Sequence, residues 1–238
     1  INKIFVFPNK LKNLRHISTH MLVCGIDEAG RGPVIGPLVM AGATISEDKL
    51  KKLEILGVQD SKILTRKRRE ELFKELLMLL DGYKIISVSN ETIDEHLNDE
   101  KSNLNILEAY TTTEIINILA PDEVFIDLPD RNKDRYESHV RKNMESQKVK
   151  LISEHKADAK YPIVSAASIL AKVTRDRYID MLKEKIGMDF GSGYPADPKT
   201  KIFLENNWDN VNINFFRKTW EPYKQAKIKK EQRSLFDF

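Results

Sequence analysis

One cysteine, Cys24, is all that 238 residues contain. No disulfide framework can form within the chain, and its position inside an apolar run gives Cys24 a plain role as a small buried hydrophobe. So little cysteine fits a reducing compartment, and the expected location is cytoplasmic. No apolar run approaches the ~20 residues that a membrane-spanning helix needs. There is no C-x-x-C pair for structural zinc, no G-x-x-x-x-G-K-[ST] phosphate loop and no G-x-S-x-G nucleophile elbow. Internal repeats and low-complexity segments are missing too. Charge of one sign is also scarce: the net is only +3, so the placement of basic residues carries more information than their sum. What is present, 41% hydrophobic and 32% charged residues, is enough for one large domain, or a domain with an appendage, around a real core.

The most informative stretch is Leu22 to Val39, LVCGIDEAGRGPVIGPLV. Leu22 to Ile26 reads as a buried strand, closed by two adjacent carboxylates, Asp27 and Glu28. Burying a bare carboxylate costs several kcal/mol unless something compensates it, and a divalent cation would satisfy both acids. Neighbouring strand residues face opposite ways, so the two acids converge only if the chain leaves strand geometry at Glu28. Gly30 and Gly32, flanking Arg31, permit such a turn and let a substrate approach the bare backbone.

Further along, Val34 to Ser46 reads as a strand hairpinned to the first, with Pro37 marking an edge position or a bulge. Ser46 opens a short helix to about Leu56. Thr65 caps an amphipathic helix from Arg66 to about Leu80. Its first turn carries Arg66, Lys67, Arg68 and Arg69, against the helix dipole, a hint of an anionic partner that competes with an ordinary solvated face. A strand over Tyr83–Asn90, a helix over about 103–119 and a short strand ending in Asp127 follow. Asp127 repeats the strand-end acid of the opening stretch, while Asp130 suits a helix cap. A helix near 133–144, a strand near 149–153 and a long helix over about 162–186 come next. Asp158 precedes that last helix as a plain cap would, and Arg175 with Asp176 reads as an exposed or helix-end ion pair. Beyond Gly187 lies a turn-rich loop in which Tyr194, set between glycine and proline, is a rigid aromatic suited to stacking on a sugar or base. A helix from Asp197 or Pro198 follows, with Trp208, Phe215, Phe216 and Trp220 supplying mainly core contacts. Strands alternating with helices indicate an α/β fold.

DEAGRGP, Asp27 to Pro33, resembles the signature of the type 2 ribonucleases H (ribonuclease HII), and the C-terminal tail, together with the single compact chain, resembles the archaeal and eukaryotic members more than the bacterial ones. Asp60-Ser61-Lys62, Asp127-x-x-Asp130, KADAKYPIVSAASILAKVTRD from Lys156 to Asp176, and GSGYPADPKT from Gly191 to Thr200 are similar to further blocks of that family, so the resemblance spans roughly residues 22–200. It implies a ribonuclease H-like mixed sheet flanked by helices, with a small C-terminal helical appendage. It implies an endonuclease acting on the RNA strand of RNA/DNA hybrids, and 5′ of single ribonucleotides in duplex DNA, leaving 3′-hydroxyl and 5′-phosphate ends. Asp27, Glu28, Asp127 and Asp158 are then the catalytic metal ligands for two Mg2+ or Mn2+ ions, since hard cations take oxygen donors. Gly30, Arg31 and Gly32 would read the 2′-hydroxyl, Lys62 would meet phosphate, and Tyr194 would stack on the sugar at the ribo–deoxyribo junction. The rival reading is a catalytically inactive hybrid-binding module tethered to a sliding clamp, against which the four intact acids speak.

Four segments are expected: an N-terminal extension, native or not, over residues 1–20; a catalytic domain over 21–187; a helical region over 188–226; and a basic tail over 227–238. In that tail Gln232-x-x-Leu235-x-x-Phe238 looks like a sliding-clamp binding peptide, which docks short apolar anchors in a groove. The usual peptide ends in two adjacent aromatics, whereas here the sequence stops at Phe238. A monomer that meets no membrane is expected.

Overall fold

The computed structural model describes residues 10–11, 20–59 and 64–236, with side chains for 20–59 and 64–229. Two compact units emerge. The first gathers residues 1–29, 39–87 and 105–174, and the second 30–38, 88–104 and 175–238.

The first unit is built on a mixed sheet. Its strands are β1 (Lys10–Leu11), β2 (Leu22–Ala29), β3 (Leu38–Ser46), β4 (Gly82–Val88), β5 (Glu123–Asp127) and β6 (Lys150–Glu154), in the spatial order β1-β4-β3-β2-β5-β6. β2 and β3 form the expected antiparallel hairpin, while β2, β5 and β6 run parallel. This is the mixed α/β sheet flanked by helices that the sequence suggested. Pro37 marks neither an edge nor a bulge: β3 begins one residue after it and lies between β4 and β2. Proline lacks an N–H to donate, so it sits where the ladder has not yet begun.

Helices fill the connections: α1 (Leu50–Leu56), α2 (Arg66–Leu79), α3 (Asn90–Asn98), α4 (Leu104–Leu119), α5 (Lys133–Lys142), the single turn α6 (Ala157–Lys160), α7 (Pro162–Ile186), α8 (Pro198–Asn207) and α9 (Glu221–Phe236). Thr65 caps α2 as expected, its hydroxyl accepting from the Arg68 N–H at 3.2 Å. The basic first turn of α2 is partly spent inside the chain. Arg68 reaches Glu71, Glu75 and the Leu56 carbonyl, and Arg69 donates to the Leu64 carbonyl.

Two glycines set how closely helices approach the sheet. A Cβ on Gly25 of β2 would fall inside contact distance of the Ile163 carbonyl at the start of α7, and one on Gly42 of β3 would strike Ile115 and Leu119 of α4. Gly25 pairs with Ala43, and Gly42 with Ile26. Paired residues share a face and successive residues alternate, so α7 lies against one face of the hairpin and α4 against the other. The α7 face carries Val23, Val39, Ala41, Ala43 and Ile45 into a core with Ile163, Ala166, Ala167 and Leu170 of α7 and Leu72, Phe73 and Leu76 of α2.

The second unit has its own aromatic core. Phe190, Phe203, Phe215 and Phe216 pack with ring centroids 5.3–6.4 Å apart, joined by Val34, Ile35, Ile179 and Tyr223. Phe215 and Phe216 are core residues, as their sequence context indicated.

Candidate metal centre and substrate-reading loop

Parallel pairing brings two strand-end acids level. Ile26 pairs with Ile126, and the next residues are Asp27 and Asp127. Asp27 shares the α7 face with Gly25, two residues back. Asp158 arrives from α6, the turn that follows the neighbouring parallel strand β6. One carboxylate oxygen from each of Asp27, Asp127 and Asp158 lies within 4.8 Å of the others. The group gathers at the carboxyl ends of parallel strands, where open α/β sheets place their ligands.

Asp27 is 5% exposed and Asp158 4%. Burial pushes the Asp27 carboxyl up to about 7, and the negative charge of Asp127 adds to the rise. Opposing it are a hydrogen bond from the Ser168 side chain, the Glu28 N–H at 2.7 Å and the positive charge of Lys172. Asp127 accepts from the Ala157 N–H at 3.0 Å, which ties β5 to the turn carrying Asp158. Three hard oxygen donors, one of them strained toward neutrality by burial and a like charge, form a set that a divalent cation satisfies.

Glu28 is not brought into this group. Convergence required the chain to leave strand geometry at Glu28, but β2 continues through Ala29, with Glu28 paired to Met40. Alternation assigns Glu28 to the face opposite Asp27. Asp130, the other acid of its block, is structural: it holds Arg135 through two nitrogens and accepts from the Asn132 N–H. Asn132, not Asp130, caps α5.

Of the residues expected to meet substrate, Gly30, Arg31, Gly32 and Tyr194 belong to the second unit. Gly30 has φ +89°, and a side chain there would collide with Arg175 and the Pro37 carbonyl. Arg217, fully buried, donates to the carbonyls of Gly30 at 2.6 Å, Arg31 at 3.0 Å and Gly36 at 2.9 Å. Its guanidinium lies 4.7 Å from the Trp220 ring centroid, and the Trp220 indole N–H donates to the Gly32 carbonyl at 3.2 Å. Tyr194, 41% exposed, sits beside Gly32: a Cβ on Gly32 would lie 3.7 Å from its ring. Arg175 is neither exposed nor at a helix end, as the expected ion pair required. It is buried, spans to the carbonyls of Ile35 and Ser192, and lies 5.2 Å from the Tyr194 ring centroid.

Lys62 and Phe238 lie outside the described residues, as do the side chains of Gln232 and Leu235. Sequence reasoning passed over Ser168, Lys172 and Arg217. Ser168 and Lys172 are four apart on α7, one turn, which was the available signal. Arg217 gave none, since the carbonyls it donates to are more than 180 residues away.

A family model described as Ribonuclease HII matches residues 24–222. Ribonuclease HII of Pyrococcus abyssi is 47% identical over 225 residues, which cover 92% of this chain and 97% of that relative. The crystal structure of ribonuclease H2 from Pyrococcus horikoshii OT3 superposes with a TM-score of 0.79 at 44% identity, over 88% of this chain and 98% of that one. The structure of the PCNA:RNase HII complex from Archaeoglobus fulgidus contributes a match with a TM-score of 0.77 at 40% identity, over 86% of this chain and 96% of that one.

Proposed function

Because the chain belongs to the ribonuclease HII family and is thus a ribonuclease H, an endonuclease that cuts the RNA strand of RNA/DNA hybrids, we propose that it also cuts duplex DNA on the 5′ side of a single ribonucleotide, with two metal ions. The observation that carries this reading is the convergence of Asp27, Asp127 and Asp158. Water attacks the phosphorus, the bond to the preceding 3′-oxygen breaks, and the products carry a 3′-hydroxyl and a 5′-phosphate. Bound Mg2+ or Mn2+ supplies Lewis acidity to the attacking water and the leaving oxygen.

The chain's own residues divide the remaining work. Asp27, Asp127 and Asp158 would hold the ions, and Glu28, on the face of β2 opposite Asp27 but one residue from the strand's end, would serve as the fourth carboxylate once that end turns it toward them. The Ser168 hydroxyl orients the Asp27 carboxylate. Gly30, Arg31 and Gly32 present backbone to the 2′-hydroxyl, the group that separates RNA from DNA. Tyr194, exposed and braced by Arg175, stacks on the sugar, and Lys62 meets phosphate. The protein acts as a monomer, and Gln232, Leu235 and Phe238 dock on a sliding clamp, a reading that the Archaeoglobus fulgidus PCNA:RNase HII complex supports by kinship.

Cleavage of three labelled substrates with Mg2+ tests this: an RNA/DNA hybrid, a DNA duplex with one ribonucleotide, and an all-DNA duplex. The wild-type chain should cut the first two, the second at the 5′ side of the ribose, and Asp27→Asn should cut none. A chain that cuts the hybrid but leaves the single-ribonucleotide duplex intact would overturn the proposal.

A further inference from the structure

The buried Arg217 has work to do that the cleavage chemistry does not explain. Removing a guanidinium from water costs several kcal/mol, and good hydrogen bonds must offset it. Here the fork is spread over three backbone carbonyls, those of Gly30, Arg31 and Gly36. Only a planar group with divergent N–H donors serves all three at once; a lysine ammonium is a point charge.

What this does to the loop follows from peptide geometry. Each peptide is trans, so a carbonyl and the next residue's N–H point in opposite directions across one plane. Drawing the Gly30 carbonyl toward Arg217 aims the Arg31 N–H away from it. Drawing the Arg31 carbonyl inward does the same for the Gly32 N–H. The third plane is set by Trp220 through the Gly32 carbonyl, and its nitrogen belongs to Pro33, which has no hydrogen. The loop therefore presents two adjacent donors, Arg31 N–H and Gly32 N–H, on the side away from Arg217. Gly32 also adjoins the Tyr194 ring.

We propose that Arg217, assisted by Trp220, is a positioning residue that sets the preference for ribose over deoxyribose by fixing the peptide planes of Gly30, Arg31 and Gly32. This rests on the reading of that loop as the 2′-hydroxyl reader. Arg217 touches no substrate. It fixes the directions of the Arg31 and Gly32 N–H groups through their peptide planes, so the loop does not reorganise when ribose arrives.

The test uses the full chain with Mg2+. KM and kcat are measured on a duplex with one ribonucleotide, and the matched all-DNA duplex is titrated as a competitive inhibitor. The ratio of its Ki to that KM measures discrimination. Arg217→Lys should lower the ratio about tenfold by raising KM, with Ki unchanged. That is the effect of losing about one well-aligned hydrogen bond to substrate. Trp220→Phe keeps a ring beneath the guanidinium and deletes one donor. It should lower the ratio roughly threefold with the melting temperature unchanged, and it decides the matter if Arg217→Lys does not fold. A purely structural role would instead lower kcat through loss of active protein and leave the ratio alone, and that result overturns the proposal. A wild-type ratio near one would sink the 2′-hydroxyl reading itself, an outcome distinct from a high ratio that survives in both variants.

Discussion

Asp27→Asn should make the metal-free protein more stable, although it should also abolish catalysis. The carboxyl is 5% exposed and raised to about 7 by burial and then by the charge of Asp127, whereas its unfolded value is about 3.8. A carboxyl raised on folding binds its proton more tightly in the folded state. Its contribution is therefore intact below about 3.8 and is lost as pH rises from there to about 7. The gap between the two values corresponds to roughly 4 kcal/mol of lost stability at pH 8. Asparagine carries no charge but keeps only one acceptor oxygen for the Ser168 and Glu28 donors, so about half, ~2 kcal/mol, should be recovered. In a chain of this length each kcal/mol moves the melting temperature by about 2–4 °C, so a rise of roughly 4–8 °C is expected. The assay is thermal unfolding with a chelator at pH 8 and at pH 4. The variant should melt higher at pH 8, and the difference should nearly vanish at pH 4, where the wild-type carboxyl is protonated in the folded state. Adding Mg2+ or Mn2+ should stabilise the wild type through binding to the folded state and leave the variant nearly unmoved. A variant that melts at or below the wild type at pH 8, or one whose advantage is equal at both pH values, would refute the argument from burial and like charge.

Two shorter predictions concern packing and the tail. Gly25→Ala should cost about 2–3 kcal/mol, because the added methyl meets the Ile163 carbonyl and overpacked sites relax poorly; a denaturation midpoint equal to the wild type's would show that α7 does not seat so closely. Removing residues 232–238 should abolish binding to an archaeal sliding clamp in a pull-down while cleavage of free duplex continues at the same rate, and clamp binding that survives the deletion would place that contact elsewhere.

The acids were legible because a carboxylate closing an apolar run is costly unless it is used, and Asp27 and Asp127 both show that pattern. The place where β2 ends was not legible. Ala29 supports strand or turn equally well, so the face taken by Glu28 could not be read. The strand expected over Tyr83–Asn90 stops at Val88, since Ser89 instead caps α3 by accepting from the Thr92 N–H. Side chains whose meaning lies in distant partners were the blindest spot. Arg175 sits in a helical run and Arg217 beside aromatics, and neither neighbourhood announces a buried guanidinium bound to backbone carbonyls.

The glycine beneath α7 also guards against a misaligned strand. Asp27 and Glu28 are adjacent, so sliding β2 by one residue along β3 would turn Glu28 toward α7 and send Asp27 to the far side. Such a slip would bring Cys24 or Ile26 under the Ile163 carbonyl, where even a methyl group does not fit. The only residue in β2 without a side chain thus acts as a key that admits one alignment. Which acid faces α7 beside Asp127 and Asp158 is decided two residues before that acid is reached.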